Sequence, residues 1–177
     1  MNFLPAFLQR VHQVDIATAG IILGLGLGFG GIIGTFLGGF LTDRLRVRDM
    51  RWYFWVPVIA ISLGYIPSII LIFGENATAA KLMPFFITAM AATHLGPALA
   101  VTHSLVNARM RSFASAILFF ILNLIGLGGG PLIVGAISDA LMPQYGADSL
   151  RWAFSSTLIN SFIAICFFLL AARHYIK

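Results

Sequence analysis

The chain has 177 residues, of which 59% are hydrophobic and only 10% charged, with a formal net charge of +5. Soluble domains average about 25% charged residues, so a chain this apolar, with a mean hydropathy of +0.95, has lipid as the solvent for most of its length. The basic residues fall in short segments between apolar runs, which is how membrane topology is written, and this excludes nucleic acid as a partner.

The first residues, MNFLPAFLQRVHQV, carry no basic region ahead of their short apolar stretch. No cleavable signal peptide is expected there, and insertion relies on the spans themselves. Five segments are long and apolar enough to cross a bilayer as helices, at about 20 residues each. They cover 17–41, 52–73, 83–106, 113–138 and 152–172, joined by 42–51, 74–82, 107–112 and 139–151. Short segments of alternating pattern, which a membrane barrel needs, do not occur. The expected fold class is therefore all-α and integral to the membrane, and the bilayer is its first partner.

The first span carries glycines at 20, 24 and 28 and again at 30, 34 and 38. Spacing of four puts each set on one helix face and lets a neighbouring helix approach closely. Charge then begins abruptly, with six charged residues from Asp43 to Arg51. Trp52, Tyr53 and Trp55 open the second span and Trp152 the fifth, at the level expected of headgroup-seeking aromatics. Asn76-Ala77-Thr78 matches a glycosylation acceptor in the second connection.

In the third span, His94 lies near mid-membrane in ATHLGPA, with Thr93 before it and Gly96-Pro97 after it. Proline removes a backbone donor and kinks the helix, freeing a carbonyl upstream. An ionisable residue at that depth is a functional-site candidate by default. The other reading is a neutral histidine bonded to a neighbouring helix. His103 is nine residues on, near the opposite helix face, so the two cannot share a metal ion. The fourth span holds Asn123, a cavity group or polar glue between helices, and the run GLGGGP, which weakens helix continuity. Asp139 is placed at the far end of that span, where solvent or a helix cap accommodates it. The lone cysteine, Cys166, sits in an apolar run and excludes an internal disulfide or multi-cysteine metal site. No nucleophile elbow, HExxH or phosphate-cradling loop is present. No enzyme activity, cofactor or metal is expected.

Lysines and arginines set the orientation. Arg44, Arg46, Arg48, Arg51, Arg109, Arg111, Arg173 and Lys177 fall on one side, against Arg10, Lys81 and Arg151 on the other. The first connection and the C-terminus are thus expected in the cytoplasm, with the N-terminus outside. A short N-terminal tail carrying Arg10 would then cross without a preceding helix, which suggests a piece of something longer.

Gly39-Phe40-Leu41-Thr42-Asp43-Arg44, with Arg46 and Arg48 behind it, resembles the signature loop of the major facilitator superfamily. LPAFLQRVHQVDIATAG before it and RMRSFASAILFFILNLIGLGGGPLIVGAISDAL after it extend the likeness. Together they are similar to the C-terminal half of Spinster-like transporters, over essentially the whole chain. The resemblance implies a partial fold: residues 1–13 as the outer end of helix seven, the five spans as helices eight to twelve, and an N-terminal half that is missing. It implies a gate loop built from Gly39, Asp43, Arg44 and Arg48, with the aspartate facing the positive end of a helix in the other half. It implies that His94 and Thr93 reach a substrate cavity, with Asn123 adding polarity to cavity or interface. It also implies alternating access by rocking of two halves, driven by a proton or ion gradient, on a small organic solute in a bacterial inner membrane. The family usually has glycine where Arg46 stands, so a less tightly turned loop is expected. The alternative function is a non-transporting membrane remnant or an interaction module.

Overall fold

The computed structural model describes residues 3–74 and 76–175. Lys177, counted above among the cytoplasmic cations, lies outside them, as do the first two residues of the expected helix-seven segment. Among the described residues the secondary structure is helical throughout.

A short helix, α1 (Leu4–His12), opens the bundle with a proline in its first turn, where the missing N–H costs no bond. It ends at Gln13, which takes the left-handed conformation (φ 52°, ψ 32°) and returns its N–H to the Leu8 carbonyl. Asp15 then starts the first span: its side chain accepts from the Ala17 N–H at 3.0 Å. That span, α2 (Ile16–Leu45), runs for 30 residues. At 1.5 Å per residue this is about 45 Å, longer than a hydrocarbon core of about 30 Å. It holds one π-helical turn at Gly26–Gly30.

The second span is α3 (Trp52–Phe73). The third is broken into α4 (Ala77–Ala92) and α5 (Leu95–Ser104). Asn76 caps α4, its side chain accepting from the N–H groups of Thr78 at 2.9 Å and Ala79 at 3.3 Å. The asparagine of the glycosylation-like triplet is thus a helix cap. The fourth span, α6 (Ala108–Tyr145), contains a π-helical stretch at Leu122–Gly129. It stops where Gly146 adopts φ +53°, a conformation that favours glycine. The fifth is α7 (Ser149–His174).

The helices of the first, fourth and fifth spans pass beyond the apolar segments at both ends, because backbone hydrogen bonding continues into polar residues once a helix is under way; the second matches 52–73, and the third starts earlier than 83 and stops at Ser104, short of 106. Asp43 and Arg44 consequently sit in the last turn of α2 rather than in the connection after it. Asp139 lies exposed on α6, which continues to Tyr145, so it caps nothing.

Packing is uneven. α3 lies between α4 and α7, and α2 rests on α4 and α5. α6 touches α5 near its start and α7 near its end, and none of its most apolar stretch is buried. One apolar core gathers Leu4, Phe7 and Leu8 of α1 with Leu71, Ala80 and Leu150. A second, at the opposite end, is built on Tyr53, Phe54 and Ala172. Tyr53 is therefore a core residue and not a headgroup-facing aromatic, whereas Trp55 and Trp152 are exposed.

Candidate functional site: the broken third span and the arginine loop

The break in the third span follows from Pro97. It has no N–H for the Thr93 carbonyl four residues back, so that carbonyl is left without its helical donor. Thr93 turns its hydroxyl onto the Met90 carbonyl at 2.7 Å and is itself buried. The half-buried His94 ring lies against its own helix, Nδ1 donating to the Ala91 carbonyl. A carbonyl can only accept, so neutral His94 carries its proton on Nδ1 and leaves Nε2 as an acceptor.

The first span is seated on this break. A Cβ at Gly30 would come 2.9 Å from the Phe85 carbonyl oxygen, and at Gly34 and Gly38 it would overlap the Ala89 and Thr93 carbonyls. Just beyond, a Cβ on Gly96 would lie 3.1 Å from the Cα of Gly39. The glycine face therefore brings α2 against α4 and α5 with backbone nearly touching backbone. The contact face is Gly26, Gly30, Gly34 and Gly38. Gly20, Gly24 and Gly28 face open space, as do Gly126, Gly129 and Gly130 of α6.

Gly39, the first residue of the signature loop, thus adjoins the break, and the charged residues follow at the end of the same helix. Asp43 is 69% exposed and its carboxylate lies 3.1 Å from Arg46 Nε. A pair this open to water stabilises by at most about 1 kcal/mol. Arg46 also donates to the Tyr53 hydroxyl at 3.2 Å. It takes ordinary right-handed backbone (φ −58°, ψ −22°), so the position needs no glycine and the turn is regular, not loosened. Arg44 and Arg48 are exposed. Thr42, between Gly39 and Asp43, is 1% exposed, and its hydroxyl has no partner among the described residues.

Asn123 lies apart, exposed on the π-helical stretch of α6, and donates from Nδ2 to the Phe119 carbonyl at 2.7 Å. The structure thus brings Gly38 and Gly39 of α2 against Thr93 and Gly96 of the broken span, places Asp43 one turn further along α2 and His94 against its own helix, and leaves Asn123 on another helix. Three cavities lie elsewhere, along α7. One of about 210 Å3 is lined by Leu4, Ser68, Leu71, Thr157 and Ser161. One of about 120 Å3 opens beside α6, between Phe3, Leu127, Pro131 and Thr157. One of about 90 Å3 lies between Tyr65, Ser68, Met90 and Ser161. Thr93, His94 and Asn123 line none of these three. Among the described residues no group of three His, Cys, Asp or Glu side chains converges as a metal site would require.

Two features escaped sequence reasoning. Gly96 was visible only as part of a kink, whereas it is also half of a glycine-to-glycine crossing. The sequence read Arg46 as charge and as a departure from the family's glycine but not as a hydrogen-bond donor, because its bond to Tyr53 depends on Tyr53 facing inward.

No family model matches the sequence. The chain is 33% identical over 176 residues to an MFS-type efflux pump of Mycolicibacterium smegmatis (strain ATCC 700084 / mc(2)155), covering 98% of this chain and 41% of that protein. Its fold is similar to two crystal structures of a bacterial homolog of the human lysosomal transporter Spinster. The inward-facing, occupied form matches with TM-score 0.83 and 26% identity over 97% of this chain and 44% of that one. The inward-facing, unoccupied form matches with TM-score 0.84 and 27% identity over 97% and 43%. The chain thus spans less than half the length of each of these relatives.

Fold and similarity together define the class, an integral membrane helical bundle with a partial major facilitator fold. Within that class the chain is similar to the Spinster type, as the signature loop and the segments on either side of it together implied.

Proposed function

We propose that this chain is the C-terminal half of an alternating-access secondary transporter for a small organic solute, working with an N-terminal half. The observation that carries the proposal is the match of the spans to solved transporters, with Gly20, Gly24 and Gly28 of α2 and Gly126, Gly129 and Gly130 of α6 left uncovered. Apolar helices that expose small residues and π-helical turns are surfaces for another helix. The efflux activity named for the mycobacterial relative supports export as the direction. The arginine-bearing end is cytoplasmic, on the positive-inside argument, and the membrane is the bacterial inner membrane.

In this reading, Asp43 closes the cytoplasmic gate by facing the positive end of a helix in the other half. Its exposed, weakly held pairing with Arg46 lets it exchange partners at little cost. Arg44 and Arg48 supply charge at the same gate, and Gly39 keeps α2 on the broken third span. Thr93, His94 and Asn123 contribute the polar groups of the cavity between halves. An ion or proton gradient drives the cycle.

The test is co-expression with an N-terminal half and measurement of solute flux in proteoliposomes. Flux should require both halves. Asp43→Asn should lower it by about tenfold or more while leaving insertion unchanged, the loss expected when a helix-dipole contact of about 1–2 kcal/mol is removed from a gate. Unchanged flux in that variant would remove Asp43 from the gate. Absence of flux with both halves present would favour the non-transporting alternative.

A further inference from the structure

At the arginine end a chain of polar and aromatic contacts crosses the bundle. It begins with Asp43 and Arg46, 3.1 Å apart, and passes from Arg46 to the Tyr53 hydroxyl at 3.2 Å. The Tyr53 ring is buried and meets the ring of Tyr175 edge-on, with centroids 6.4 Å apart; Phe54 meets the same ring at 5.1 Å. The Tyr175 hydroxyl lies 3.0 Å from Ser104 Oγ at the end of α5. Ser104 spends its one proton on the Val101 carbonyl at 2.7 Å, so Tyr175 is the donor to Ser104. The neighbouring His103 reaches Ser115 of α6 through Nε2 at 2.7 Å, and Ser115 in turn donates to the Arg111 carbonyl at 3.0 Å. His103 must then donate from Nε2. All five spans are joined at this end.

The remaining ties of the loop are local. Arg48 N–H bonds the Leu45 carbonyl at 2.9 Å, and Arg51 N–H bonds the Asp49 side chain at 2.8 Å. Among the described residues, the Arg46–Tyr53 bond is the side-chain tie that leads from these turns into a packed core, beside the backbone bonds of the Tyr53 and Phe54 N–H groups to the Met50 and Arg51 carbonyls at 3.3 and 2.9 Å.

We propose that Tyr53 and Tyr175 are positioning residues that anchor the Asp43-bearing end of α2 and the connection after it to the body of the bundle, so that loop and bundle move as one. The last turn of α7 thereby controls the geometry of the first connection, although more than a hundred residues separate them in sequence. The consequence for gating rests on the gate reading of Asp43. The anchoring itself does not, and it is measured without transport.

The experiment is hydrogen exchange by mass spectrometry on the full chain in lipid nanodiscs, with the Arg46 Nη1–H signal followed by NMR. Tyr53→Phe keeps the ring in the core and removes only the hydroxyl. It should speed exchange of amides 46–51 about fivefold by lowering the cost of local opening, shift the Arg46 Nη1–H signal and leave 78–92 unchanged. Tyr175→Ala should speed the same loop amides, although it touches none of them. Unchanged loop exchange in Tyr53→Phe overturns the proposal. So does a Tyr175→Ala effect confined to the end of α7. If Tyr175→Ala speeds exchange throughout the bundle, Tyr53→Phe alone decides, because loss of one hydroxyl leaves the core packing in place. Normal flux in Asp43→Asn combined with a loosened loop in Tyr53→Phe would sink the gate reading and keep the anchor.

Discussion

Thr42 has a buried hydroxyl with no partner among the described residues, in the middle of the signature loop sequence. A buried donor left unmade costs about 1–3 kcal/mol. Thr42→Val keeps the shape and removes that group, so it should raise stability by about 1 kcal/mol in thermal denaturation in detergent. A loss of stability would mean that the hydroxyl has a partner in the membrane. His94 is a different case, a polar group satisfied on one side only. Nδ1 is committed to the Ala91 carbonyl, and Nε2 accepts when the ring is neutral and donates when it is charged. If His94 serves the cavity, His94→Ala should lower flux by the assembled transporter while leaving insertion unchanged. Unchanged flux would reject the role.

The crossing of α2 over α4 and α5 depends on glycine at particular turns and not on glycine in general. Gly38→Ala places a methyl against the Thr93 carbonyl, where backbone would have to shift. It should destabilise the bundle by about 1–3 kcal/mol, as overpacking does. Gly24→Ala meets open space within this chain and gains helix propensity, so it should be neutral or stabilising by up to about 1 kcal/mol. Thermal melts followed by circular dichroism compare the two, and equal effects would mean that the crossing is looser than it stands here. Glycine periodicity was legible in the sequence, and so was the Pro97 break. Which glycines make contact was not, because that depends on the rotation of α2 against a partner whose own face is set by the break.

For the molecule as a whole, the exposed middle of α6 carries the prediction. Leu127 is 62% exposed beside Gly126 and Gly128, on a span that packs only near its ends. Cysteine at that position should react with a membrane-permeant maleimide in this chain alone and be protected, by about tenfold, when an N-terminal half is co-expressed. Protection on that scale is what burial in a helix–helix interface provides. Equal labelling would mean that the partner covers some other face.

The sequence by itself determined the class of solvent, the number of spans, the side on which charge collects, and the family of the loop after the first span. These follow from composition and local pattern, since twenty apolar residues in a row have one stable fate in a bilayer and arginines resist crossing it. Tertiary structure alone decided that Tyr53 faces inward, that Arg46 joins Asp43 to that tyrosine, and that Gly96 meets Gly39. It alone decided that the end of α7 returns to the first connection. Each depends on how far one helix is rotated and where it crosses another. That geometry is set by side chains distant in sequence, and in a chain apolar on every helix face the hydrophobic pattern gives no direction to it.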